Sequence, residues 1–201
     1  MIQSINDIQT GDNFLTTSYD DFVSKSIVKV MKKYAKQHNI KSEIVLSHAA
    51  ELIWIANELY VYGSIDSGYK PWLFRRHYKL DDPNEGCVIM RRKIPLTDDE
   101  KNKITNYCQY LVGVSFMYQY FNLIKWLVLV YLHINLFKLS YKISKLLNII
   151  YKITYCYQST FMCRKNLNPE YYGNYEDYMV DFFMLINDDK YEIIYKNIKT
   201  N

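Results

Sequence analysis

The chain has few glycines, prolines and cysteines for its 201 residues. Six glycines and four prolines exclude collagen-like sequence and low-complexity linkers. The four cysteines form no CxxC pair and no histidine stands at zinc-finger spacing, which predicts free thiols, no metal and no other cofactor. The N-terminus lacks a basic segment followed by an apolar run, so we expect no signal peptide. These absences predict a cytoplasmic or virion protein.

The residues that are present describe a folded protein. Apolar residues make up 49% of the chain and aromatic residues 16%, which predicts a single globular domain over 1–201. The net charge is only +4, but residues 101–165 carry nine basic side chains and no acidic one. Any anionic partner should therefore meet this stretch. Because it has no arginine-rich face, nucleic-acid binding is not favoured.

The first half of the sequence is rich in predicted strands. A short apolar run follows Gly11-Asp12, and apolar residues at spacings of three and four then predict a helix from Phe22 that ends near His38. Ile44 to Ile55 and Leu59 to Ile65 predict a hairpin about Ala56-Asn57. Further strands are expected over 72–78 and 87–94, on either side of a turn at 81–86.

The second half is mostly helical in pattern. Thr97 and Glu100 form a capping box that predicts a helix to about Val112. A long helical tract follows over 121–155, and apolar and lysine residues fall on separate faces of its second part. This tract predicts a core or partner helix, with a membrane-surface helix as the alternative and no membrane span. We expect its apolar stripe to be packed. A helix from Cys156 to Lys165 and strands over 182–186 and 191–195 complete the chain.

Only one of the four histidines stands in a setting that favours chemistry. His38 lies at a polar helix end, His77 follows two arginines, and His133 lies in an apolar tract where burial in the core is expected. His48 is flanked by small residues at the start of a strand, which leaves space beside its ring. A thiol nucleophile needs such an imidazole to accept its proton, and a third polar group to orient the ring.

The order of several segments resembles that of the circularly permuted NlpC-type papain-like cysteine hydrolases, which include YiiX-like proteins and are related to the lecithin:retinol acyltransferase group. These segments are the Gly11-Asp12 strand, Ser47-His48-Ala49, the strand from Leu59 to Gly68, and the helix that ends at Gly113. The resemblance spans roughly 11–120 and 153–186. It implies an α+β fold with an antiparallel sheet packed against helices, and it leaves about 122–150 as a helical insertion.

The resemblance implies a Cys-His catalytic pair. The nucleophile should be Cys156, which opens a helix near the C-terminus, and the base should be His48, with Cys163 as the rival nucleophile. Gly63 occupies the position where the family has a polar third residue, so Ser64 or Asp66 is expected to orient the imidazole, with a main-chain carbonyl or a water as the alternative. Cys87 and Cys108 are expected to be structural.

These roles predict hydrolysis or transfer at an amide or ester carbonyl. Cys156 would attack, His48 would remove and return the proton, and backbone amides near the thiol would stabilise the oxyanion. The substrate would be a peptide, a peptidoglycan-type amide or a lipid acyl group. The alternative is a catalytically inactive structural or interaction module, for example of a virus or phage particle, that docks on a membrane surface or partner protein through 122–150.

Overall fold

A computed structural model describes residues 4–65, 68–112, 119–146, 156–173 and 179–199. Six strands form one antiparallel sheet in the order β4-β3-β2-β1-β5-β6. The strands are β1 (Asp12–Ser18), β2 (His48–Ile55), β3 (Glu58–Ile65), β4 (Gly68–Leu73), β5 (Glu85–Arg92) and β6 (Tyr191–Asn197).

Eight helices accompany the sheet in the described part of the chain. They are α1 (Phe22–Gln37), α2 (Phe74–His77), α3 (Asp98–Leu111), α4 (Gln119–Leu132), α5 (Leu136–Leu146), α6 (Cys156–Leu167), α7 (Pro169–Tyr172) and α8 (Phe182–Ile186). The Thr97 hydroxyl accepts from the Glu100 amide, and the Glu100 carboxylate accepts from the Thr97 amide. The predicted capping box therefore starts α3. The predicted α+β class is confirmed.

The β2–β3 hairpin turns at Ala56-Asn57, where the sequence predicts it. Ala56 and Asn57 both have positive φ, at 47° and 64°, which matches the right-handed twist of the two strands. Ala50 pairs with Gly63 and Leu52 with Val61. Because the register is continuous, the position of this turn determines which residue of β3 pairs with each residue of β2.

The sheet has apolar side chains on both of its faces. On one face Leu15, Ala49 and Met90 pack with residues of α1, α4, α6 and α8. On the other face Phe14, Leu52, Val61 and Ile89 pack with Phe74 of α2 and with the N-terminal Ile8. Successive residues of a strand point to opposite faces. The position of a residue along its strand therefore decides in which of these two layers its side chain lies.

Three predicted elements are wrong. Residues 182–186 form α8 and not a strand, because the Asp181 carboxylate accepts from the Met184 amide and caps a helix there. The strand expected over 72–78 ends at Leu73 and continues as the short α2. The tract over 121–155 is broken between α4 and α5 at His133, which is exposed with φ of 58° and not buried as expected. The tract's remainder, 147–155, lies outside the described residues.

Candidate functional site

Helix α6 places Cys156 against the sheet. Cys156 is its first residue, and the helix packs across β2 with eight of its residues buried. The Cys156 thiol lies 4.0 Å from the Ser47 carbonyl oxygen. Backbone amides of Ala49, Tyr157 and Cys156 itself act to lower the pKa of the thiol, but burial outweighs them and raises that pKa to about 11. The Cys156 thiol is therefore neutral at pH 7.

His48 begins β2 and points to the other face of the sheet. Its Nε2 lies 3.1 Å from the point that a Cβ on Gly63 would occupy, and its ring centroid lies 6.4 Å from that of Trp72. Nε2 is buried, and none of the described residues forms a hydrogen bond with it. Loss of solvation lowers the pKa of His48 from its ordinary 6.5 to about 4. The imidazole is therefore neutral at pH 7.

The backbones of the two predicted catalytic residues lie close together in the fold, but their side chains are on opposite faces of the sheet. Cys156 contacts Ser47 and Ala49, the neighbours of His48 on either side. Ala49 and Cys156 belong to one apolar layer, whereas Ala50, Gly63 and Trp72 surround His48 on the opposite face. No hydrogen bond joins the Cys156 thiol to the His48 ring, and neither group shifts the pKa of the other.

The residues expected to orient the imidazole lie elsewhere or outside the described chain. Ser64 is buried on β3 and pairs with Tyr69 of β4. Side chains alternate along a strand, so Ser64 points to the same face as Tyr62, two residues before it, and away from the face of Gly63. That face is the one on which α6 packs. Asp66 lies outside the described residues. The residue that faces His48 Nε2 is therefore Gly63, which has no side chain to offer.

The structure also contains a buried arginine that the sequence analysis missed. Arg164 of α6 is 1% exposed. Its Nε donates to Asn13 Oδ1 at 2.8 Å, and its Nη1 donates to the Leu185 carbonyl at 2.9 Å and to Asp188 Oδ2 at 2.8 Å. Its guanidinium also lies 3.8 Å from the ring centroid of Tyr191. These contacts fix α6 to β1, to the region after α8 and to β6.

Next to this arginine lies a cluster of buried polar groups. Glu51 Oε2 accepts from the Asn13 side chain at 2.8 Å, while burial raises the pKa of Glu51 well above its usual range. The thiols of Cys108 and Cys163 lie 3.8 Å apart, and the Tyr69 hydroxyl donates to Cys108 at 3.2 Å. Cys163 is thus an ordinary buried thiol in mid-helix, and Cys87 and Cys108 are buried as expected.

Two cavities lie away from Cys156 and His48. One, of about 350 Å³, is lined by Tyr171 of α7 and by residues of α8 and its two ends, which include Asp181 and Asp188. The other, of about 310 Å³, lies beside Arg92, Lys93 and Lys190. Neither is lined by the predicted catalytic pair. Within the described ranges, no group of three or more His, Cys, Asp or Glu side chains is arranged to hold a metal ion.

Helices α4 and α5 and the residues that connect them expose a set of apolar side chains that we call the α4–α5 face. Of the 15 exposed large apolar residues of the described chain, nine belong to it. The stripe that we expected to be packed is exposed here: Leu139 is 51%, Ile143 48% and Leu146 83% exposed. No helix in the described ranges is both long and apolar enough to span a membrane. The nine residues are Ile124, Leu127, Tyr131, Leu132, Ile134, Leu139, Tyr141, Ile143 and Leu146.

Comparison with known proteins finds a structural relative at low sequence identity. Neither a protein-family profile nor a curated protein matches the sequence. The fold is similar to the crystal structure of YiiX from Escherichia coli O157:H7, a DUF1105 protein described as a metalloprotein. The two are 14% identical with a TM-score of 0.56, and the match covers 95% of this chain and 98% of YiiX. The chain therefore has a YiiX-like fold.

Proposed function

We propose that this chain is a binding module that uses a YiiX-like, permuted papain-like fold without thiol catalysis, and that it docks through the α4–α5 face. One observation carries the proposal: the Cys156 thiol of α6 and the His48 imidazole of β2 lie on opposite faces of the sheet. General-base activation needs a hydrogen bond, direct or through one water, between the nucleophile and the base.

The protonation states of the two groups support the same proposal. With the pKa of the thiol near 11 and that of the imidazole near 4, both groups are neutral over the physiological range. Only about one thiol in ten thousand would be ionised at pH 7, and the thiolate is the nucleophile. In a working thiolate–imidazolium pair, the pKa of the thiol is lowered and the pKa of the imidazole is raised, the reverse of what is found here.

The third position of the predicted site is closed. A Cβ on Gly63 would lie 3.1 Å from His48 Nε2, 3.1 Å from the Ala50 Cβ and 3.3 Å from Trp72 Cη2. These are close contacts for a carbon atom, so a polar side chain at this position would require Trp72 to move. Among the described residues, the position of the orienting group is therefore taken by a glycine with the Trp72 ring beside it.

YiiX is described as a metalloprotein, but the described residues of this chain offer no matching donor group. Glu51 lies near two thiols, but its pKa is raised by burial and the three groups do not form a coordination set.

A second candidate function is thiol-dependent hydrolysis or acyl transfer, and the position of Cys156 favours it. The thiol stands at the N-terminus of α6, with three backbone amides close enough to lower its pKa. In that function the thiol would attack an amide or ester carbonyl of a peptide, peptidoglycan or lipid substrate. His48 would accept the proton and return it to the leaving group. The imidazole would first have to reach the α6 face of the sheet.

Mass-spectrometric peptide mapping after iodoacetamide treatment distinguishes the two candidates. We expect the native protein to label Cys156 no faster at pH 7.5 than the buried Cys87 and Cys108. Rapid labelling of Cys156 that a His48→Gln variant slows would overturn the binding-module proposal. A hydrolase assay on an activated ester, with Cys156→Ser and Cys163→Ser as a matched pair, gives a second readout.

A further inference from the structure

The α4–α5 face belongs to a group of three helices whose charged side chains are all positive. Helices α1, α4 and α5 together carry nine lysines and no aspartate or glutamate. The rest of the chain contains the other 16 of the 25 basic residues and all 21 acidic residues. The three helices therefore have a formal charge of +9, and the rest of the chain has −5. Exposed apolar residues and positive charge thus coincide on one side of the molecule.

The inner sides of these helices are already packed. Trp126 of α4 lies between Tyr34 of α1 and Phe137 of α5, with ring centroids 5.2 Å and 5.0 Å away. The Gln37 side chain also donates to the Val130 carbonyl at 2.8 Å. The exposed apolar residues are therefore on the outer side of a fixed layer, and substituting them does not open the core.

The outer side of α5 has the pattern of a helix that lies at a lipid–water interface. Leu139, Ile143 and Leu146 recur at spacings of four and three and share one side of the helix. Lys138 and Lys142 are exposed and lie about 60 to 100° around the helix from Leu139, at the edge of this stripe. Lysines there can reach phosphate groups while the leucines enter the acyl region.

We propose that the α4–α5 face binds the surface of an anionic lipid bilayer, a proposal that rests on the docking role assigned above. Charge complementarity identifies the partner: exposed aliphatic side chains need an apolar medium, and the surrounding lysines need negative charge. A second copy of the chain fits less well, because a symmetric contact would place two lysine-rich layers against each other. The anionic bilayer supplies both requirements.

The expected effects of substitution follow from these two contributions. One lysine near an anionic surface strengthens binding about fivefold at moderate salt. Lys138→Gln with Lys142→Gln should therefore weaken binding by about tenfold or more. Leu139→Ser with Ile143→Ser should weaken it at least as much, because these side chains would lose their burial in the acyl region. Since all four residues are exposed in the free protein, the fold should be unaffected.

Vesicle co-sedimentation tests the proposal. We expect the protein to pellet with phosphatidylcholine vesicles that contain about 30% phosphatidylserine, but not with pure phosphatidylcholine vesicles. Binding should fall as salt rises from about 0.1 M to about 0.5 M. The matched control is Lys79→Gln with Lys103→Gln, which removes the same charge from exposed positions outside the three helices and should bind within twofold of wild type.

Three results would overturn the lipid assignment. The first is no pelleting with anionic vesicles, and the second is pelleting that neither salt nor the Lys138/Lys142 variant weakens. The third is a dimer, seen by gel filtration with light scattering, that Leu139→Ser with Ile143→Ser dissociates. Circular dichroism confirms that each variant is folded. Iodoacetamide labelling of Cys156 is independent of vesicles, so failure of the binding-module proposal can be told apart from failure of the lipid proposal.

Discussion

Replacing His48 with glutamine should remove a pH dependence of stability that the buried imidazole imposes. In the folded protein the pKa of His48 is lowered from 6.5 to about 4 by loss of solvation, while the unfolded chain keeps the ordinary value. Between these values the unfolded state binds more protons, so the free energy of unfolding falls as pH decreases from about 6.5 to about 4. A shift of this size corresponds to about 3 kcal/mol.

Urea unfolding of wild type and His48→Gln at a series of pH values measures this contribution. The difference in free energy of unfolding between the two proteins should change by about 3 kcal/mol from pH 7 to pH 4, with wild type losing more. Any pH-independent cost of the substitution cancels when the difference between the two proteins at pH 4 is compared with the difference at pH 7. His133→Asn is the matched control for replacing a histidine with an amide, because His133 is exposed at a positive φ that asparagine tolerates.

The opposite slope would refute the reasoning. An imidazolium stabilised by a Cys156 thiolate would have its pKa raised, so wild type would gain stability relative to His48→Gln as pH falls through that raised value towards 6.5. A difference that does not vary with pH would show that the ring is solvated in the folded state, which the buried Nε2 contradicts.

Three further substitutions probe the surroundings of α6. Arg164→Met should lower the free energy of unfolding by about 3 to 5 kcal/mol in urea titrations, because it leaves Asp188 buried without its cation. Gly63→Asn should create no esterase activity and should lower the melting temperature, since even its Cβ would crowd the His48 ring. Glu51→Gln should be at least as stable as wild type at pH 8, because the raised pKa of Glu51 makes wild type lose stability as pH rises above about 4.5.

Local signals in the sequence predicted much of the fold. The β2–β3 hairpin and its register follow from one turn, and α3 follows from its capping box. Residues 182–186 were assigned wrongly because five consecutive apolar residues have no periodicity. The helix there depends on the Asp181 cap, which competes with the strand tendency of an apolar run.

The candidate site was only partly predictable. Chain order indicated that Cys156 would open a helix and that His48 would begin a strand, and both do. Whether their side chains meet depends on whether His48 points to the face of the sheet on which α6 packs, and no local sequence pattern determines this. The Arg164 network was missed because its partners, Asn13 and Asp188, are distant in sequence, and a basic residue near a helix C-terminus is expected to be solvated.

The pKa of the Cys156 thiol is the measurement that tests the absence of thiol catalysis most directly. It is obtained from the pH dependence of the iodoacetamide alkylation rate of Cys156 in the folded protein, followed by peptide mapping between pH 5 and about 10. We predict an alkylation rate that is very low at pH 7 and is still rising at the highest pH, as a thiol pKa of about 11 requires. A plateau reached with a midpoint below about 7 would show a thiolate activated at neutral pH and would contradict the account.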